Sequence, residues 1–136
     1  LELPSLGAKI KQGDLGFSFT RDQHEAGVLA PVTGRVLAVN HKVKDYPEIS
    51  HQDPYRNGWL FILEPDMPRR NLRQLFFGRQ CDAWIEQEQQ QLLALLGPEY
   101  QHLAATGGQP VDDLFGNIPE IGWDRIVRAF LRTGQA

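Results

Sequence analysis

Residues 13–39 read Gly13-Asp-Leu-Gly-Phe-Ser-Phe-Thr20-Arg-Asp-Gln-His-Glu-Ala-Gly-Val-Leu-Ala30-Pro-Val-Thr-Gly-Arg-Val-Leu-Ala-Val39, and their pattern decides the fold of the first half of the chain. Gly13-Asp14 is a turn signal. After it Leu15, Phe17 and Phe19 alternate with smaller or polar residues, as a half-buried strand requires. Arg21 to Gly27 is polar and reads as the connecting turn. Val28 to Ala30 and Arg35 to Val39 supply further apolar strand runs, separated by Pro31 and Gly34, which mark turns or bulges. Trp59-Leu-Phe-Ile-Leu63 reads as a buried strand by the same logic. Short strands punctuated by glycine and proline predict a flattened β-barrel or sandwich.

Beyond Pro68 the periodicity changes from two to that of a helix. Leu72, Leu75 and Phe76 share one face, and Cys81, Trp84, Ile85, Leu92, Leu95 and Leu96 follow, with a polar Glu- and Gln-rich side opposite. Gly97-Pro98 is expected to end that helix. Pro98 to Ala105 is compatible with a further short helix, Thr106-Gly-Gly-Gln-Pro110 is a break, and Trp123, Ile126, Val127, Phe130 and Leu131 form a last amphipathic face. The predicted class is therefore α+β, strands first and C-terminal helices after.

Two stretches give the chain a resemblance to a known family. One is Glu2-Leu-Pro-Ser-Leu-Gly-Ala-Lys-Ile-Lys-Gln-Gly-Asp14, leading on to Ala30-Pro-Val-Thr-Gly-Arg-Val-Leu-Ala-Val-Asn40; the other is Pro47-Glu-Ile-Ser-His-Gln-Asp-Pro-Tyr-Arg-Asn-Gly-Trp-Leu60. Together they resemble the H protein of the glycine cleavage system, a small lipoyl-bearing shuttle. The likeness spans residues 1 to 78 without a gap and implies a lipoyl-domain-like fold there; the region from about Cys81 to Ala136 is longer than the family's helical tail, and residues 79–136 are expected to be a helical extension packed on that domain. It also implies a lead-in of strands and a short helix ahead of Leu1, so residues 1–78 are expected to be that domain without its lead-in, and an upstream processing signal is compatible with this start.

The same register decides the position that matters chemically. In the family a Glu-Ser-Val-Lys segment carries the lipoylated lysine eight residues before the proline of the next strand. Counting back from Pro31 reaches Gln23, preceded by Thr20-Arg21-Asp22. A lipoyl group is attached by an amide to a lysine amine, and glutamine has no amine to acylate. The four lysines are Lys9, Lys11, Lys42 and Lys44, none of which the resemblance puts at a hairpin tip, so a small slip of register does not restore the carrier. The cofactor expectation is accordingly none, with lipoate as the alternative.

Composition narrows the remaining classes. The chain has 136 residues and a net charge of −3, enough for a domain with a core and too few concentrated basic groups for a nucleic-acid or anionic-membrane partner. Arg69, Arg70, Arg73 and Arg79 form the basic patch, whose default reading is a solvated helix face. No apolar run approaches the roughly 20 residues that cross a bilayer. The single cysteine, Cys81, reads as a small apolar residue on a helix. A soluble cytoplasmic module is expected.

Other constellations are weak. Asp22, His24 and Glu25 are neighbours on a turn, where side chains rarely converge, and His41 and His51 flank a polar loop. Asp53 and Tyr55 belong to a turn before the Trp59 strand, where local hydrogen bonding is the natural role. Asp112-Asp113 reads as a helix cap. No phosphate loop, nucleophile elbow or paired-cysteine motif is present. Three functions follow in order of preference. The first is a non-lipoylated H-protein-like scaffold or interaction module, not an enzyme, with a protein partner. The second is a lipoyl carrier shuttling an aminomethyl group. The third is a small enzyme or ligand-binding domain working through an exposed hairpin tip, Asp22, Gln23, His24 and Glu25. The stripe Trp123, Ile126, Val127, Phe130 and Leu131 is expected either to pack internally or to dock a partner.

Overall fold

A computed structural model describes residues 1–109 and 111–133. The chain divides into two compact units, Leu1–Leu75 and Phe76–Ala136. In the first unit, β1 (Lys9–Ile10), β4 (Gly34–Val39) and β5 (Phe61–Pro65) form an antiparallel sheet in the order β1-β4-β5. β2 (Leu15–Arg21) and β3 (His24–Leu29) form a separate antiparallel hairpin. Strands followed by helices give the α+β class that the periodicity predicts, and no closed barrel forms among the described residues.

The core of this unit sits where β1, β4 and the end of β3 meet. Ile10, Ala30 and Val36 are buried there, with Ala8, Val39, Phe61 and Leu63 packed around them. Small side chains dominate because the backbones run close together: a Cβ added at Gly16 would lie 3.2 Å from the Ala30 amide nitrogen. In β2 the fully covered positions are therefore Gly16 and Ser18, while Phe17 and Phe19 are half-buried and Leu15 is exposed.

Two strand expectations and one helix expectation need correction. The turn of the hairpin is Asp22-Gln23 alone, because Arg21 pairs with His24, Thr20 with Glu25 and Ser18 with Gly27. Polarity misled here, since ladder hydrogen bonds use backbone groups and tolerate polar side chains wherever the strand faces water. The last strand begins at Phe61, not Trp59, and alternates half-buried with exposed residues. Leu72, Leu75 and Phe76 do not share a helix, because α3 (Pro68–Leu72) stops there and α4 (Arg79–Leu96) starts after Gly78 at a φ of 54°.

Two short helices, α1 (His41–Asp45) and α2 (Ile49–Gln52), lie between β4 and β5. Val43 of α1 is fully buried. In the second unit, α4 ends at Gly97, whose φ of 96° favours glycine, and α5 (Pro98–Ala105) begins with proline at its first position. The expected break and the expected helix both fall there, although Pro110 lies outside the described residues. α6 (Leu114–Asn117) is capped by Asp113, whose carboxylate accepts from the Gly116 N–H at 3.1 Å. After a 3-10 turn at Pro119–Ile121, α7 (Trp123–Ile126) widens into a π-type turn over Val127–Leu131.

Candidate functional site

The candidate site is the tip of the β2–β3 hairpin. Leu15 to Arg21 and His24 to Leu29 pair along their length, with one irregularity between Leu15 and Phe17, so the ladder carries Asp22 and Gln23 to its far end. Asp22 takes a left-handed φ of 54°, a conformation that aspartate tolerates better than most residues. Asp22, Gln23, His24 and Glu25 are all exposed. Asp22 and Gln23 form the turn, while His24 and Glu25 are the first residues of β3 and point to opposite faces of the ribbon, as successive strand residues do. The four therefore do not converge on a common point. Among the described residues no group of three or more His, Cys, Asp or Glu is placed to hold a metal ion.

The ground beneath the hairpin is more ordered than the sequence indicates. An open, mainly apolar groove of ≈ 730 Å³ runs beside β2, lined by Phe17, Phe19 and Thr20 on one side and by Pro47, Pro54 and Trp59 on the other. The Phe17 and Phe61 rings meet edge to face at 6.2 Å. The loop forming the far wall is fixed by polar contacts. Asp53 accepts from the Asn57 backbone N–H at 3.1 Å and from its side-chain amide at 2.8 Å, which is the local role expected of it. Tyr55, 98% exposed, takes no comparable place. Gly58 is buried, and a Cβ there would sit 2.7 Å from the carbonyl oxygens of both Ile49 and Asp53.

Two buried asparagines organise this unit. Asn40 donates to the carbonyls of Asn57 at 2.9 Å and Trp59 at 2.7 Å, and its own side-chain oxygen accepts from the Lys42 N–H to cap α1. Asn71 of α3 accepts from the Thr33 N–H at 3.1 Å and donates to the Gln12 side chain at 2.9 Å. Gln12 closes the knot: its side-chain amide donates to the carbonyls of Pro31 and Asn71, and its backbone N–H donates to the Thr33 hydroxyl oxygen at 2.9 Å. Of the two asparagines, Asn40 stands just ahead of α1, where asparagine is a favoured capping residue. Nothing in the sequence announces Asn71, whose partners lie 38 and 59 residues away.

The remaining residues singled out from the sequence are dispersed. His41 opens α1 and His51 lies in α2, both exposed. Arg69 and Arg70 lie on α3, Arg73 caps it, and Arg79 opens α4, so the four arginines do not share one helix. Cys81 is half-buried. On the C-terminal stripe Val127 is buried and Trp123, Ile126, Phe130 and Leu131 are half-buried. Trp123 meets Phe115 edge to face at 5.2 Å, Gln91 of α4 donates to the Ala129 carbonyl at 3.4 Å, and Arg132 stands 3.7 Å from Glu88. Among the described residues no helix is long and apolar enough to cross a membrane.

Comparison with known proteins places this hairpin unit. The model of the family described as Glycine cleavage H-protein matches residues 1–88. The glycine cleavage system H protein of Anaeromyxobacter sp. (strain K) is 30% identical over 89 residues, covering 65% of this chain and 69% of that protein. That of Coprothermobacter proteolyticus is 39% identical over 64 residues, covering 47% of this chain and 50% of that protein. A crystal structure of a glycine cleavage system H protein from Mycobacterium marinum aligns with a TM-score of 0.46 at 24% identity, over 54% of this chain and 62% of that one. The chain belongs to the glycine cleavage H-protein family.

Proposed function

We propose that this chain is a non-lipoylated H-protein-like scaffold or interaction module, with no catalysis of its own, that works in the cytoplasm through a protein partner. The observation that carries the reading is Gln23, which stands in the two-residue hairpin turn at the position where the family resemblance expects the lipoylated lysine. The side chains at the tip are a carboxylate, a carboxamide, an imidazole and a carboxylate. None offers an amine that could hold a lipoyl group as a stable amide, so the tip does not fit that group. The lysines stand elsewhere. Lys9 is in β1 and ion-paired with Asp66 at 2.9 Å, Lys11 follows β1, and Lys42 and Lys44 are in α1.

The two sheets are read as the halves of a lipoyl-type sandwich, a reading supported by the edge-to-face contact of Phe17 in the hairpin with Phe61 in β5. Residues 79–136 are read as a helical extension that follows the H-protein-like unit. Family membership supports the second reading, a lipoyl carrier that shuttles an aminomethyl group in a glycine-cleavage-type system. Incubation with lipoate ligase, ATP and lipoate separates the two. The proposed reading expects an unchanged intact mass, and a gain of one lipoyl mass on the unaltered chain establishes the carrier instead.

A further inference from the structure

We propose that the arginine face of α3, formed by Arg69, Arg70 and Arg73, is a docking site for a carboxylate-rich segment of a protein partner. The proposal deepens the interaction-module reading but does not depend on whether Gln23 is the modified position. Three observations carry it.

The first is orientation. An α-helix advances about 100° per residue, and Arg73 continues helical geometry at the end of α3 with φ −62° and ψ −21°. Arg69, Arg73 and Arg70 therefore fall within an arc of about 100°. Asn71 lies on the opposite side, buried and held by Thr33 and Gln12 at 3.1 and 2.9 Å. Fixing Asn71 inward fixes the three guanidinium groups outward, and all three residues are exposed.

The second is an unanswered charge. No carboxylate of the described residues forms an ion pair with these three arginines. The acid next to α3, Asp66, is taken by Lys9. From Met67 to Cys81 the sequence holds four arginines and no acidic residue, in a chain whose net charge is −3. A local positive excess on a net acidic chain complements an acidic partner.

The third is the neighbourhood. Met67 and Leu72 flank the arginines and are 51% and 43% exposed, so the surface presents apolar contacts beside planar donors. Arginine pairs bidentately with carboxylates, and arginine with methionine is a usual interface composition. A nucleic acid needs a longer basic track, and a membrane surface calls for a longer amphipathic helix. A five-residue helix supplies neither, which favours a short acidic protein segment.

The test uses the full chain and a fluorescein-labelled peptide of alternating glutamate and leucine, read by fluorescence anisotropy at low ionic strength. The matching glutamine–leucine peptide is the control. The glutamate peptide is expected to bind at least about tenfold more tightly than its control. The triple variant R69Q/R70Q/R73Q is expected to lose about tenfold in affinity at an unchanged melting temperature, and Arg73→Gln, at the centre of the arc, to lose part of it. The charge-matched triple R35Q/R125Q/R128Q is expected to stay within about twofold. Equal binding of the two peptides, or equal losses in the two triple variants, overturns the proposal. It is also overturned if oligothymidylate or phosphatidylserine vesicles bind as tightly as the glutamate peptide and lose the same affinity in R69Q/R70Q/R73Q.

Discussion

The β unit and the helical unit of this chain are held together by different means. In residues 1–75 the buried groups include two asparagines and a serine as well as Ile10, Ala26, Ala30, Val36 and Val43. In the second unit the described buried side chains are Ile121 and Val127, and neither α4 nor α5 contributes one. The first unit is thus specified by hydrogen bonds that accept only one side chain, and the second by a diffuse apolar surface that accepts many. Groups buried without partners cost more than apolar contacts partly made, so the two units should respond differently to substitution.

The largest effect is expected from removing residues 118–136, which takes away both Ile121 and Val127. At about 1.5–3 kcal/mol for each buried aliphatic side chain, the loss is about 4 kcal/mol, and thermal denaturation should show the helical transition vanish while the β unit still melts cooperatively. Preserved stability with lost partner capture would assign the stripe of Trp123, Ile126, Phe130 and Leu131 to docking instead. If neither changes, the extension is dispensable and the contrast fails.

Next in size is the polar framework of the β unit. Asn71→Leu strips the Thr33 N–H of its acceptor, and Asn40→Leu leaves the Asn57 and Trp59 carbonyls without their donor. Each should cost about 2–3 kcal/mol by chemical denaturation. Gly58→Ala forces a methyl against two backbone carbonyls and should cost about 1–3 kcal/mol. A loss under about 0.5 kcal/mol for all three would remove the distinction between the units.

The smallest effect is expected on α5. Leu103 is 56% exposed, and Leu103→Ala should change stability by less than about 1 kcal/mol. Hydrogen exchange sharpens the same point, because amides of α5 should exchange well before those of β4. Equal protection would mean that the helical unit is as firmly packed as the sheet.

What the sequence reveals follows from this difference. Alternation and punctuation make the strands near Phe17 and Val36 legible, and Gly97-Pro98 marks a helix end because no other residue pair stops a helix so directly. The Glycine cleavage H-protein resemblance is legible in the Asp53-Pro-Tyr and Gly58-Trp-Leu spacing, and Gly58 shows why: the turn has no room for a Cβ. The extent of the hairpin was hidden because His24 and Glu25 are polar strand residues on an exposed ribbon. The break after Leu72 was hidden because its apolar spacing continues through a segment that is not helical. Asn71 was hidden because its partners are distant in sequence and its polarity mimics a surface residue.

The central claim concerns Gln23, and intact-mass spectrometry after treatment with lipoate ligase, ATP and lipoate tests it most directly. The unaltered chain should keep its mass. The variant Gln23→Lys adds a weaker arm, since the Thr20-Arg21-Asp22 flank departs from the family segment and the ligase reads more than the lysine. One lipoyl mass added to the unaltered chain would contradict the account and return the protein to the carriers.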